Sequence, residues 1–536
     1  MRRRRFWGLS AATVLVALTA CGTRLPNSAF VQAGQTASNQ STGAAANNTT
    51  SNGTSDNSGL AAGSGSTGSG NGSSGATSGS GSTGSGAAAS TSGSGSSASG
   101  AGSSAGSSSA SGTGSSSGSS AGSSGPNTAS DIGVTETSIK IGNVTGVGGP
   151  LGPDAFGPTL NGLKTWVAAT NAKGGINGRK IDLATCDDGQ DGARNLSCVQ
   201  KLVTQDKVFM FLDNNSLTTA PSASFEYSHG VPDLGLPLNN GYYKYPNMFS
   251  LYGVDYPRDS KQVGVNGNGY NTTEVYRYFK QVVGVTRGAF FFYSQQSSLA
   301  QARSEEQQAT AEGICQCYES GGHGGEQIGA ANWDADVLSM KNKNVDGVFD
   351  AVDVAANQSI CSSMDRYGVK VKAKESTIEV WSQDIGTAGW SVPCRDSVYA
   401  TGSTTPYSDT SLPVVAQFRQ DFNTYAHGAL LHQWAFDGYA AAQIFGDALT
   451  AMGSSPTRKG FIDWMDAIKP YTYTDHGMFH DVDWTPRPHP NTRQTCGSVV
   501  QWQDSAGTFV NRAGAGHEFF CYTTTEISFP YVPDGS

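Results

Sequence analysis

One stretch decides how much of this chain can fold. Residues 22–130 carry only two formal charges, Arg24 and Asp56, and are otherwise mostly Gly, Ser, Ala, Thr and Asn. Such a tract has almost no apolar surface to offset the entropy of ordering its backbone, so it is not a folded domain. It has no G-X-Y period and little proline, which excludes a collagen helix. Folding therefore concerns 131–536, which holds 71 of the 77 charged residues and is long enough for two lobes with real cores.

The first 21 residues read as an address. Four arginines at 2–5 precede an uncharged run, 6–20, too short for a membrane span. Leu18-Thr19-Ala20-Cys21 resembles the lipobox of bacterial lipoproteins, which implies a signal peptide over 1–20 and a diacylated Cys21 on the extracytoplasmic face of the cell membrane. An ordinary secretory signal that happens to contain a cysteine is the alternative, and Arg4-Arg5 also partly matches a twin-arginine signal. Two acyl chains anchor where one does not hold. Residues 21–130 would then be a tether with a root-mean-square reach of roughly 50–60 Å.

Removal of 1–20 leaves a net charge of −13 and no basic block, a poor match for nucleic acid. No later segment has the length and apolarity of a membrane helix. Eight cysteines remain after Cys21, an even count that in an exported chain reads as disulfides. Cys186 ends an apolar strand and Cys198 starts a helix, so these are expected to pair. Cys496 and Cys521 flank a terminal hairpin, 499–502 with 507–510, and are expected to pair too. Cys315 and Cys317 stand too close for an easy mutual bond, so each is expected to reach Cys361 or Cys394. Zinc is disfavoured because paired C-x-x-C elements are lacking.

From Ser138 onward a short apolar strand, a Gly-rich turn and an amphipathic helix repeat. Strands are expected at 139–144, 180–184, 208–212, 288–293, 345–349, 378–381 and 398–401. Helices are expected at 156–171, 193–205, 273–283, 299–313 and 355–367. Alternating β and α implies parallel sheets with right-handed crossovers, in two blocks.

Certain residues carry a family resemblance. Thr135-x-x-Ser138-Ile139-Lys140-Ile141-Gly142, then 171–181 (NAKGGINGRKI) with Asp187-Asp188, resemble the type I periplasmic binding proteins of the Leu/Ile/Val-binding class. Gly230-Val231-Pro232 falls at the expected interval, and Asp437-Gly438-Tyr439 resembles the later helix that returns to the first lobe. The resemblance covers roughly 135–485. It implies an α/β, two-lobed type I periplasmic-binding-protein fold, with parallel sheets flanked by helices and lobes joined by hinge crossings. Lobe 1 would be 131–256 with 402–482, and lobe 2 would be 257–401 with 483–536. The Gly-Gly-Ile-Asn-Gly segment is a turn that needs positive φ and marks the fold, not the ligand site.

The resemblance further implies a small polar solute held between closing lobes, at the carboxyl ends of strands. The positions that fall there are Gly149 at the mouth, Asn214, Asn215 and Ser216 after the third strand, and Asn239 and Asn240 after Leu238. In the second lobe they are Tyr293, Gln295, Asp353 and Asp384. Each is also a turn former or, for Asp353 and Asp384, a possible helix N-cap. Where amino-acid binders have a Ser-Ser loop this chain has Asn-Ser, and where they have Tyr-Gly it has Ser297-Ser298-Leu299. An amide, urea-like, aromatic or polyol ligand is therefore as compatible as an amino acid.

Enzyme signals are weak. Two G-x-S-x-G matches, at 102–106 and 118–122, lie in the low-complexity tract with no strand to build an elbow. Gly146, Gly148 and Gly152 miss the dinucleotide spacing. His476 and His480, with Asp475, Asp481 and Asp483, form the sharpest metal-like group, but a short strand there would hold positions four apart away from each other. The expectation is a monomeric, non-enzymatic solute receptor of an ABC importer, without cofactor or metal, whose partners are the solute and a membrane permease. A ligand sensor on the same fold is the second reading, and a secreted enzyme or structural wall lipoprotein the third.

Overall fold

The alternating pattern resolves into two mainly parallel sheets with helices against them. A computed structural model describes residues 125–531, except 218–219, 237, 254–256, 330–331, 377, 388, 469–476, 480–481, 483, 485–491 and 515–518. The signal segment, Cys21, the tract through residue 124 and the His476/His480 group lie outside the described residues.

The first sheet is laid down in chain order as β1 (Ser138–Thr145), α1 (Pro153–Ala172), β2 (Lys180–Asp187), α2 (Gly192–Thr204), β3 (Phe211–Leu212), α3 (Ala220–Ser228), β4 (Asp233–Gly235) and β5 (Met248–Ser250). Its strand order is β2-β1-β3-β4-β5 and every pairing is parallel. The apolar run 208–212 was expected to be one strand, but only Phe211 and Leu212 are strand residues. The carbonyls of Val208 and Phe209 instead accept from the buried Arg458 guanidinium at 2.7 and 2.8 Å, while Phe209 N still donates to Lys140 O of β1 at 2.7 Å.

The second block runs β6 (Asn268–Asn271), α4 (Glu274–Tyr278), β7 (Arg287–Phe292), α5 (Gln296–Ala311), β8 (Cys315–Glu319), α6 (Asp334–Asn342), β9 (Gly347–Ala351), α7 (Val354–Arg366), β10 (Ala373–Ser376), α8 (Val392–Arg395) and β11 (Val398–Gly402). After α9 (Pro413–Tyr425), α10 (Gln433–Met452) and α11 (Arg458–Ala467) come β12 (Thr492–Gln503), β13 (Thr508–Asn511), β14 (Phe520–Thr525) and β15 (Ile527–Pro530). Among the described residues the second sheet has the order β13-β12-β11-β10-β9-β7-β8, with β14 on β12, while β15 pairs β6 separately. Strands β7 to β11 are parallel, and β12 joins β11 antiparallel.

Two expectations need correction here. The apolar stretch 378–381 is not a strand: Ile378–Val380 is a 3-10 turn, and the strand is β10 just before it. β10 carries Lys374 and Glu375, both fully or almost fully buried, and Lys374 Nζ reaches Asp350 on β9 at 2.6 Å. Charge in the strand hid it from a reading based on apolar runs. The second correction is the disulfides. Cys186–Cys198 and Cys496–Cys521 form as expected, but Cys315 bonds Cys317 and Cys361 bonds Cys394. The register between β7 and β8 slips at Gly288/Ala289, so Cys317 is the extra residue of a bulge. The bulge bends the strand and brings the two Cα atoms to 5.2 Å, inside the range a disulfide spans.

Helices α1 and α10 bind the two halves of the sequence together. A Cβ on Gly162 would sit 1.9 Å from the Ala435 carbonyl oxygen, and one on Gly438 would sit 2.3 Å from that of Thr159. Only glycine lets these backbones approach so closely. The folded region also begins slightly before residue 131. Thr128 N donates to Ser454 O at 3.1 Å and Ser130 Oγ to Pro456 O at 2.6 Å, so the last residues of the low-complexity tract lie along the turn after α10. Among the described residues no helix is long and apolar enough to cross a membrane.

Candidate functional site

The carboxyl ends of β7 and β9 meet the α1 side of the first sheet at a cleft. Leu151 and Phe156 of the α1 region, with Leu217 and Leu238 from loops after β3 and β4, form one wall. Tyr293, Gln295 and Ser297 after β7, with Asp353 after β9, form the other. Phe156 stacks on Trp434, the second residue of α10, with ring centroids 5.8 Å apart. A hydrogen bond crosses the cleft, from Gln295 Nε2 to the Leu217 carbonyl at 3.4 Å.

Three of the ten expected contact residues thus come together. Gln295 caps α5: its Oε1 accepts from Ser297 N at 3.0 Å, Ser298 N at 3.3 Å and Ser297 Oγ at 2.7 Å. Asp353 caps α7 through Ala355 N at 3.2 Å and accepts the Tyr293 hydroxyl proton on its other oxygen. Burial, then the charge of Asp353, pushes the Tyr293 phenol far above its ordinary range, so it stays a neutral donor.

The first-sheet candidates turn inward instead. Asn214 ties β1 to β4, accepting from Val144 N at 2.7 Å and donating to Asp233 Oδ2 at 3.0 Å. Asn215 donates to Thr159 Oγ1 of α1 at 2.8 Å, and Ser216 donates to Asp188. Asn239 caps the turn Asn240–Tyr243 through Gly241 N at 2.9 Å, and Asn240 is buried in that turn. Gly149 is exposed at a φ of 100°, with the Gly189 carbonyl oxygen 2.4 Å from where its Cβ would be. Asp384 does not line the cleft; it accepts from Ser382 Oγ and borders a separate open groove with Arg419 and His427. What sequence reasoning missed is the apolar wall. A leucine or phenylalanine facing a cleft has the same sequence signature as one facing a core, and only the adjacency of Leu217 and Leu238 to the Asn-Ser and Asn-Asn loops hinted at it.

Behind the cleft, the first sheet buries four carboxylates: Asp213, Glu226, Asp233 and Asp437. Burial raises Asp213 and Glu226 well above the usual carboxylate range, with neighbouring carboxylates adding to the effect. It pushes Asp233 up to about 7 and Asp437 up to about 6, against hydrogen bonds that favour their ionised forms. Among the described residues no group of three or more His, Cys, Asp or Glu is placed to hold a metal ion.

Against known proteins, the family model described as "Periplasmic binding protein" matches residues 138–508. A curated relative, "Leu/Ile/Val-binding protein homolog 2" of Brucella abortus (strain 2308), is 35% identical over 91 residues, 16% of this chain and 24% of the relative. The chain thus spans about a quarter of the length of the curated relatives it matches. Among solved structures, a fatty acid ABC transporter substrate-binding protein from Thermomonospora curvata is 14% identical with a TM-score of 0.55, covering 73% of this chain and 94% of its own. A solute-binding protein of an ABC transporter from R. palustris, in complex with benzoate, is 14% identical at TM-score 0.54 over 70% and 95%. A leucine-binding protein from Thermotoga maritima is 14% identical at TM-score 0.53 over 72% and 98%. At such identities these structures speak for the fold, and it is the fold built above: two mainly parallel sheets, helices on their faces, and a cleft at the strand ends. With the family model spanning more than half of its length, the chain belongs to the periplasmic binding proteins, in their type I form.

Proposed function

We propose that the chain is the extracytoplasmic solute receptor of an ABC importer, holding one small molecule between two lobes and handing it to a membrane permease. The observation that carries this reading is the cleft itself, where Leu217 and Leu238 stand opposite Gln295 and Asp353. Residues 131–256 with 402–482 form one lobe in this reading, and 257–401 with 483–536 the other. Tyr293, Gln295 and Asp353 are the contact residues, while Asn214, Asn215 and Ser216 hold the first-lobe loop in shape. The receptor is a monomer tethered through an acylated Cys21 after removal of 1–20, with the low-complexity tract as the link between Cys21 and the folded region. The relatives' names, which speak of branched-chain amino acids, fatty acids and benzoate, support a transport role without fixing the solute.

Thermal stability of the full chain against a metabolite panel tests this. A solute at 100 times its Kd adds about 2.7 kcal/mol, and Gln295→Ala should remove most of that gain. A solute that stabilises wild type and the Gln295→Ala, Leu238→Arg double variant equally would place binding elsewhere.

A further inference from the structure

The chemistry left free in the cleft narrows the solute. Two helices start at its second wall and α1 starts at the first, uncapped by any side chain but with Asp154 in its first turn; helix N-termini attract carboxylates because their first N–H groups lack partners. On the second wall three of those donors are already taken. The Gln295 side chain accepts from Ser297 N and Ser298 N, and Asp353 accepts from Ala355 N. Among the described residues that line the cleft there is no Lys, Arg or His, and the one formal charge is Asp353. An anionic head placed here would face the Asp353 carboxylate among neutral hydroxyl, amide and apolar groups, with no cation among the described lining residues to offset its desolvation.

Acceptor capacity remains, beside the neutral amides of Gln295 and Gln301, which also line the cleft. Tyr293 gives its hydroxyl proton to Asp353, Ser297 gives its own to Gln295 at 2.7 Å, and Ser298 gives its own to the Ala351 carbonyl at 2.5 Å. Hydroxyl and carboxylate oxygens keep further lone pairs after one bond, so Tyr293, Ser297 and Asp353 can each accept again. Among the described residues the opposite wall is Leu151, Ala155, Phe156, Leu217 and Leu238, which offers contact area and no polar side chain.

We infer that the solute has an apolar body and a hydrogen-bond-donating head without negative charge, as in a primary amide, an amine or an alcohol. The body lies on the leucines and Phe156, and the head donates to Asp353, Tyr293 and Ser297. This rests on the cleft being the binding site. It separates the chain from receptors that recognise a carboxylate, including that of an α-amino acid.

Matched probes test it by calorimetry on the full chain. Benzamide, benzylamine and benzyl alcohol are set against benzoate, the 3-methylbutyl and hexyl series are treated likewise, and L-leucine is included. At least one amide, amine or alcohol should bind about tenfold or more tightly than its carboxylate counterpart. Leu217→Arg, or Leu238→Arg if the first does not fold, supplies the missing cation and should narrow or reverse that preference. A carboxylate as the tightest wild-type ligand, shifted by either arginine variant, keeps the cleft but overturns this assignment of head group. Binding that neither variant alters removes the cleft reading and the assignment with it. No binding by any amide, amine or alcohol of the three series also overturns the assignment.

Discussion

The Tyr252 hydroxyl donates a 2.6 Å hydrogen bond to Asp437 Oδ2, while Thr404 Oγ1 donates to Oδ1 at 2.7 Å. Tyr252 lies just after β5, where the chain leaves the first sheet, and Thr404 just after β11, where it leaves the second. One buried carboxylate on α10 therefore ties two crossing segments together. A third segment joins nearby, where Thr405 N donates to Met478 O at 2.8 Å and Trp484 Nε1 to Ser250 O at 2.7 Å.

That arrangement sets the cost of breaking it. Tyr252→Phe removes one hydroxyl and should lower the unfolding free energy by about 1–2 kcal/mol. Asp437→Ala leaves Tyr252, Thr404 and the Gln433 amide facing a void, so it should cost distinctly more than Tyr252→Phe. Urea denaturation of both variants checks the order. Equal losses would mean that the other two donors find new partners.

Stability should also fall as pH rises through the range where these carboxylates ionise. Asp437 stands at about 6 and Asp233 at about 7, both above the ordinary aspartate value of 3.8, with burial as the main cause. A group whose folded pKa is raised binds more protons folded than unfolded, so its contribution is complete below the unfolded pKa and is lost through the folded one. For Asp437 alone this amounts to roughly 3 kcal/mol between about pH 4 and 7. Asp187 and Asp346 are shifted down and act oppositely, but only in the more acidic range where they take up protons. The melting temperature should therefore be higher at pH 5 than at pH 8. Asp213→Asn, which removes a buried carboxylate with no hydrogen-bond partner on either oxygen among the described residues, should flatten the slope and raise stability at pH 8.

How much of this could be read beforehand depends on whether one side chain or two decide a feature. The turn at 174–178 was legible because Gly174, Gly175, Asn177 and Gly178 all take positive φ, a demand their residue types announce. The Cys186–Cys198 bond was legible because strand and helix patterns placed both ends. β10 was not, since Lys374 enters a buried strand only because Asp350 waits on the neighbouring one. Cys315–Cys317 depended on a slip in register with β7, which has no signature in the cysteines' own spacing. In the site, capping residues such as Gln295 and Asp353 stood out by type and position. The leucine wall opposite them did not, because burial by a ligand and burial by a core select the same residues.

The pair that hid β10 makes a prediction of its own. Lys374 and Asp350 are almost completely buried, and Asp350 also accepts from Asn357 Nδ2 at 3.0 Å and Ser376 Oγ at 2.6 Å. Lys374→Met strands the carboxylate and should cost roughly 3–5 kcal/mol. Replacing both, as Lys374→Met with Asp350→Leu, should recover a good part of that loss, because two apolar groups need no desolvation to be repaid. Chemical denaturation of the single and double variants measures the difference. A double variant less stable than either single one would show that the pair is net stabilising.

The disulfides should differ in worth according to the loop each closes. Cys361–Cys394 spans 33 residues and joins α7 to α8, with both sulfurs in the core, whereas Cys315–Cys317 spans two on the edge strand β8. In the chain-entropy account the first removes far more freedom from the unfolded chain: about 4 kcal/mol against about 1. Cys361→Ala with Cys394→Ala should thus shift the urea midpoint strongly, and Cys315→Ala with Cys317→Ala only slightly. Non-reducing peptide mapping provides the direct check, since it should return Cys315 and Cys317 within one peptide and Cys361 linked to Cys394. A map linking Cys315 or Cys317 to Cys361 would mean that β8 lacks the bulge that brings the two cysteines together.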